Sequence, residues 1–240
     1  MRIKNAKVFT MEETTGVLEI GTVVVEGDTI CRVSAEQEIP EGARVIDGRG
    51  HMLFPGFIEP HCHMGITEEK KGREGDDCNE CVDPLTPYLR AIDAINPMDA
   101  AFHDAVAAGI TSAMIGPGSS NVVGGQFAFI KLKGRRIDDL IVKAPAAMKV
   151  AFGENPKVNF SGQSKSPVTR MAIASALREE LFDAKEYFDE KSKNAEDFEP
   201  NYRYECWVPV FEHKIPLKAH VHRVDDIFTA IRIAEEFNLH

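Results

Sequence analysis

The sequence predicts an α/β protein in two parts: a β-strand segment over residues 1–54, then a (β/α)8 barrel of the TIM type over residues 55–240, of which the chain offers the first five or so β/α units. Three observations predict it. Residues 1–54 are short Val- and Ile-rich runs separated by turn signals. From Gly56 onward strand-like and helix-like stretches alternate, the order of parallel β/α units. Two of the later strands end in His-x-His, at the C-terminal strand ends where such barrels gather their functional side chains.

In the first part, Ile3–Thr10, Val17–Glu26, Thr29–Ser34 and Ala43–Ile46 read as strands, and the turns are Glu26-Gly27-Asp28, Pro40-Glu41-Gly42 and Asp47-Gly48. Gly27-Asp28 between two Val/Ile runs is a hairpin signal. So short a segment cannot bury a sheet alone and is expected to pack with further strands.

Pro55-Gly56 breaks the chain and opens a buried strand, Gly56–Pro60, that delivers His61 and His63. Residues i and i+2 of an extended chain share a face, so both imidazoles can reach one ion through neutral ring nitrogens. Met64–Asn96 is a long charged connection of the kind that serves as a functional lid or stays disordered. Its lone Cys78-Asn-Glu-Cys81 is a weak zinc signal, and two ordinary thiols are the better reading. A helix follows over Pro97–Ala108, with Asn96 as N-cap, Pro97 at its first position and Gly109 as the stop. Ile110–Ile115 is a strand that runs into the glycine-rich loop Gly116–Gly125, which lacks the Gly-Lys-Ser/Thr ending of a phosphate loop and offers backbone contact to a substrate or a tight turn.

Gln126–Lys133 is the next strand, Ile137–Ile141 a connecting piece, and Ala146–Phe152 a strand with one lysine, Lys149, among apolar residues. A buried lysine is costly unless paired or modified; the alternative is that it snorkels to the rim. A helix is expected over Pro167–Tyr187, with Met171, Ala174, Leu177, Leu181 and Ala184 on its core face. Asp189–Tyr204 reads as loop-rich, and Trp207–Phe211 as the end of a short helix. Ile215–His222 is the second strand ending in paired histidines, His220 and His222. Asp225–Phe237 is an amphipathic helix with Val224, Ile227, Phe228 and Ile231 on one face, and Asn238–His240 opens a further strand.

Composition narrows the function. A formal charge of −10 over 240 residues argues against nucleic acid or an anionic membrane as partner. No apolar run approaches a membrane span, Met-Arg-Ile-Lys-Asn has no signal-peptide core behind it, and five cysteines suit reduced thiols in a cytoplasm. The expectation is a cytoplasmic protein acting on a small molecule.

Pro55-Gly-Phe-Ile-Glu-Pro-His61-Cys-His63 resembles the first metal-binding strand of the amidohydrolase superfamily, and the lead-in with Gly27-Asp28-Thr29-Ile30 and Val45–Gly50 resembles the composite β-sandwich that precedes it. Ala108-Gly-Ile-Thr111 resembles the second strand. The blocks Gly116–Asn121, Phe152–Pro156, Pro167–Met171 and His220–Asp226 are similar to the imidazolonepropionase-like amidohydrolases. The resemblance implies a metal-activated water attacking the carbonyl of a cyclic amide or another non-peptide C–N bond. His61, His63 and His220 would be metal ligands, and Lys149 stands where some relatives carry a carboxylated lysine that bridges two ions. Glu154 is an alternative carboxylate ligand or catalytic group, and His222 a catalytic or substrate contact. Gly116, Asn121, Arg170 and Arg223 fall where substrate would lie.

The implied cofactor is a divalent metal, zinc first and iron, manganese or nickel next, as one ion or two according to Lys149. Family habit implies a homo-oligomer. The sequence departs from the superfamily in lacking its sixth-strand histidine and eighth-strand aspartate, for His240 stands where the sixth strand would start; a fragment inactive by itself is the expectation. A prolidase-like dipeptidase, or a protein that keeps the fold for binding without catalysis, is the alternative.

Overall fold

A computed structural model of the chain describes residues 1–35, 44–193 and 198–240. The turn expected at Pro40–Gly42 and the first residue of the Ala43–Ile46 strand lie outside the described residues. The chain divides into two compact units, Met1–Phe57 and Ile58–His240.

The first unit holds β1 (Arg2–Phe9), β2 (Val17–Glu26), β3 (Thr29–Ser34), β4 (Val45–Asp47) and β5 (Met52–Leu53). They form one sheet in the order β3-β2-β1-β4, with β5 also on β1. β1–β2 and β2–β3 are antiparallel, whereas β4 and β5 run parallel to β1. Glu26 faces Thr29 across a two-residue loop, and Gly27 takes φ +60° at its first position, where an L side chain is strained. Among the described residues the strands make this single sheet and not the two facing layers of a sandwich.

In the second unit β6 (Phe57–Cys62), β7 (Ile110–Ile115), β8 (Val123–Lys131), β9 (Ile141–Ala151) and β10 (Leu217–His220) form a sheet in the order β10-β9-β8-β7-β6. β10 is parallel to β9, but β8 runs antiparallel to both neighbours. The expected all-parallel sequence is therefore broken. The reason is loop length: a parallel crossover needs a dozen or more residues, and neither the 116–122 link nor the 132–140 link supplies them, so each closes as a hairpin-type return.

β6 and β10 are opposite edges of this sheet, yet Lys218 Nζ of β10 donates to the Pro60 carbonyl of β6 at 2.7 Å. The sheet is curled enough for a side chain of one edge strand to reach the backbone of the other.

The helices are α1 (Ala100–Ala107), α2 (Glu154–Gly162), α3 (Arg170–Lys193), α4 (Tyr202–Glu205), α5 (Val208–Phe211) and α6 (Val224–Glu236). α1 is capped by Asp99, whose side chain accepts from Ala101 N, and not by Asn96, which instead accepts from Met98 N. α2 is an addition to the sequence reading. α3 lays Ile173, Ala174, Leu177, Leu181 and Ala184 in one core with Met148 and Val150 of β9 and Phe152 just after it, and Trp207 and Ile233 complete that core. Met171, expected on that face, is 80% exposed. On α6 the core contact is made by Ile233, while Val224, Ile227, Phe228 and Ile231 are exposed. After α6 the chain turns back, and the His240 carbonyl accepts from Leu217 N at 2.7 Å.

The long 64–96 connection is fastened rather than loose. Ile66, Ala91 and Ile95 are buried, and the Leu89 carbonyl accepts from Gln126 N at 2.8 Å. Gly125 lies at φ +119° against that carbonyl, where a Cβ would collide. No helix among the described residues is long and apolar enough to cross a membrane.

Leu177 has no exposed surface at the centre of the α3 face. Leu177→Ala should cost about 2–5 kcal/mol, measured as a fall in the urea midpoint at unchanged slope.

Candidate metal centre

His61 and His63 stand at the C-terminal end of β6, their ring centroids 5.3 Å apart. His63 Nδ1 lies 2.7 Å from the Gly116 carbonyl at the end of β7. A carbonyl only accepts, so Nδ1 carries the proton and Nε2 holds the lone pair when the ring is neutral. Gly116 is required there because a Cβ would enter the Phe127 ring. That ring is fully buried and floors the site: the His61 centroid lies 5.2 Å away, Lys149 Nζ 5.7 Å and Lys218 Nζ 5.4 Å.

His220 ends β10. Its Nδ1 is 2.9 Å from Ser119 Oγ of the glycine-rich loop, and its Nε2 is 3.2 Å from His222 Nε2. Two imidazole nitrogens so close need a proton between them or a cation to share. Two nitrogens on one tetrahedral ion, at about 2.0–2.1 Å each, stand about 3.3 Å apart.

Lys149 of β9 sits directly across from Lys218 of β10. Lys218 satisfies its amine at Pro60, whereas Lys149 is 1% exposed and its Nζ has no hydrogen-bond partner. Burial, and then the Lys218 charge against a partly compensating Cys78, brings the Lys149 pKa down to about 8. The His61 pKa falls to about 4 through partial desolvation and the charges of Lys149, Lys218, His63 and His220. Burial, Lys149, His222 and His63 lower His220 as well. His63 is raised, first by a hydrogen bond with the Cys78 thiol. Burial works to raise Cys78 itself, but His63 and Thr67 outweigh it and the thiol comes out lowered.

Both histidine pairs thus lie within electrostatic reach of each other and of one buried amine. Among the described residues, no three His, Cys, Asp or Glu side chains yet converge as a finished ligand set. The donors nevertheless suit a divalent ion: lowered pKa values leave His61 and His220 neutral at pH 7, and an orphaned amine lies beside them.

No family model matches the chain. A solved amidohydrolase from Thermotoga maritima superposes on all of it with a TM-score of 0.92 at 40% identity, the match covering 62% of that protein. Amidohydrolase tasK of Hapsidospora irregularis is 31% identical over 202 residues, 73% of this chain and 21% of that protein. The chain belongs to the amidohydrolase superfamily. A 5-methylthioadenosine/S-adenosylhomocysteine deaminase of Pelotomaculum thermopropionicum is 38% identical over 68 residues, 27% of this chain and 16% of that protein. The chain spans about a fifth of the length of tasK and under two thirds of the solved amidohydrolase.

The other residues expected at the site take several positions. Glu154 is the first residue of α2, half-exposed and 3.6 Å from Lys157, because the chain leaves β9 at Gly153 and turns straight into a helix. Asn121 is buried, and its amide is spent on the Glu80 and Asp83 carbonyls and on Thr86 Oγ1, pinning the long connection to the glycine-rich loop. Arg170 pairs with Asp225 and Asp226 and lines a cavity of about 710 Å³ that none of the four histidines borders. Arg223 pairs with Asp225 at 2.9 Å at the start of α6. Gly116 acts on His63 through its carbonyl.

Cys78, Ser119, Lys218 and Phe127 were missed as site residues. Lys218 was legible: it is two residues before His220 on the same strand, hence on the same face.

The His61 pKa lies below the unfolded value of 6.5, so the stability its neutral ring contributes is complete above about pH 6.5 and is lost as pH falls toward 4. An NMR titration of metal-free protein should place the His61 midpoint near 4. Lys149→Met should raise that midpoint while leaving it below 6.5, because desolvation is the larger cause.

Proposed function

We propose that these residues form the metal-binding part of a hydrolase that cleaves a cyclic amide or another non-peptide C–N bond, on the rim of a (β/α)8-type barrel. The observation that carries the reading is the gathering of His61, His63 and His220 around Lys149, a buried amine without a partner. The edge-to-edge curl of the sheet supports the barrel, and relatives named as an amidohydrolase and as deaminases support the bond class.

His61, His63 and His220 would hold the ion as neutral imidazoles, zinc being the first expectation. At pH 7 an amine with a pKa of about 8 is neutral in a minor fraction, and in that form Lys149 can add carbon dioxide. The nitrogen lone pair forms the new N–C bond, one proton leaves to solvent, and the resulting carbamate is an anionic ligand in place of a costly buried ammonium. A bound divalent ion would supply an acidified water and polarisation of the scissile carbonyl. His222, its Nε2 facing His220, is placed to hold or release a proton at that nitrogen. Phe127 keeps water from the floor of the site.

Metal content by mass spectrometry and hydrolysis of a panel of cyclic amides, N-acyl amino acids and dipeptides test the reading. His61→Ala should strip the ion, and full occupancy in that variant would sink the assignment. His222→Ala should retain metal and lose about 10²–10⁴-fold in kcat on whichever substrate is turned over.

A further inference from the structure

The glycine-rich loop meets both histidine couples, but with different chemistry. The Gly116 carbonyl lies 2.7 Å from His63 Nδ1, and the Ser119 hydroxyl lies 2.9 Å from His220 Nδ1. A carbonyl only accepts, so it fixes one tautomer of His63; a hydroxyl both donates and accepts, so it suits either tautomer of His220. The other ring nitrogen of His220 faces His222 Nε2 at 3.2 Å. With both rings neutral and no cation between them, that contact needs a proton on one of the two nitrogens.

Ser119 is held in place from both sides. Gly118 N donates to the Cys78 carbonyl at 2.7 Å, and Ser120 N donates to Asn79 Oδ1 at 2.9 Å. The Asn121 amide bonds the Glu80 and Asp83 carbonyls. Ser119 is 8% exposed, and among the described residues the one hydrogen-bond partner of its hydroxyl is His220. A buried hydroxyl with one partner does better to donate, because an unmade donor costs more than an unused lone pair. The protons then run in one direction, from Ser119 Oγ to His220 Nδ1 and from His220 Nε2 to His222 Nε2.

We propose that Ser119 is the positioning residue of His220, its hydroxyl donating to Nδ1 while the chain is metal-free and accepting from Nδ1 once a cation takes Nε2. This rests on the metal-centre reading above. Without an ion, Nε2 keeps the proton of the ring and shares it with His222. When a cation takes the Nε2 lone pair, that proton leaves to water and another is taken up from water at Nδ1, so the ring stays neutral. Ser119 answers by turning about its Cβ–Oγ bond, and neither side chain has to leave its place. Alanine at 119 would leave the Nδ1 proton without this acceptor, a penalty confined to the metal-bound form.

The test is the tautomer of His220, read from long-range proton–nitrogen NMR correlations of the full chain with and without Zn²⁺, in wild type, Ser119→Ala and Ser119→Thr. The expected result is a wild-type ring whose proton sits on Nε2 and moves to Nδ1 when Zn²⁺ is added. Ser119→Ala should show a mixture of tautomers without metal and bind Zn²⁺ about 10–100-fold more weakly, the usual loss when a group supporting a ligating histidine is removed. Ser119→Thr keeps the hydroxyl and should restore both the tautomer and the affinity. A metal-free wild-type ring with its proton on Nδ1 would overturn the role of Ser119, as would a Ser119→Ala variant that matches wild type in tautomer and affinity. Should Ser119→Ala fail to fold, the move of the proton on adding Zn²⁺ to wild type and Ser119→Thr decides the question. If wild type binds no Zn²⁺, the metal-centre reading falls and the accepting role of Ser119 with it, while a proton on Nε2 still upholds the donating one.

Discussion

The pairing of β9 with β10 sets two lysines opposite each other on the inner face of a curled sheet, and the rest of the site follows from how that conflict is settled. Like charges side by side in a partly desolvated setting repel, and each amine wants an acceptor. Lys218 finds one in the Pro60 carbonyl, and in reaching it ties the last strand of the sheet to the first. The same bond draws the end of β10, with His220, toward the end of β6, with His61 and His63. Lys149 is left with no acceptor, a state that resists a positive charge and favours whatever chemistry removes it.

Much of this was legible from residue order. The two His-x-His strands, the lysine in an apolar strand and the glycine-rich loop all arise from local rules: alternation along a strand, the cost of a buried amine, the need for a bend. What was not legible depended on partners distant in sequence. The direction of β8 is set by how little chain joins it to its neighbours, a constraint visible in loop length but overridden in the reading by the rhythm of strands and helices. Asn121 looked free to meet a ligand until the Glu80–Thr86 segment took its amide. Glu154 looked like a strand-end carboxylate because the onset of α2 at Gly153 carries no strong apolar period.

The α6 stripe failed for a related reason. Spacing identifies which residues share a face, not which face is covered. Here Ile233 meets the core while Phe228 and Ile231 do not.

Asn79 gives the architecture a consequence of another kind. Its side chain locks the connection that follows β6 to the glycine-rich loop, whose Ser119 hydroxyl lies 2.9 Å from His220 Nδ1 and whose Gly116 carbonyl holds His63. One carboxamide therefore works as a rivet beside the loop that both imidazole couples lean on. Loosening it would unsettle the two couples together.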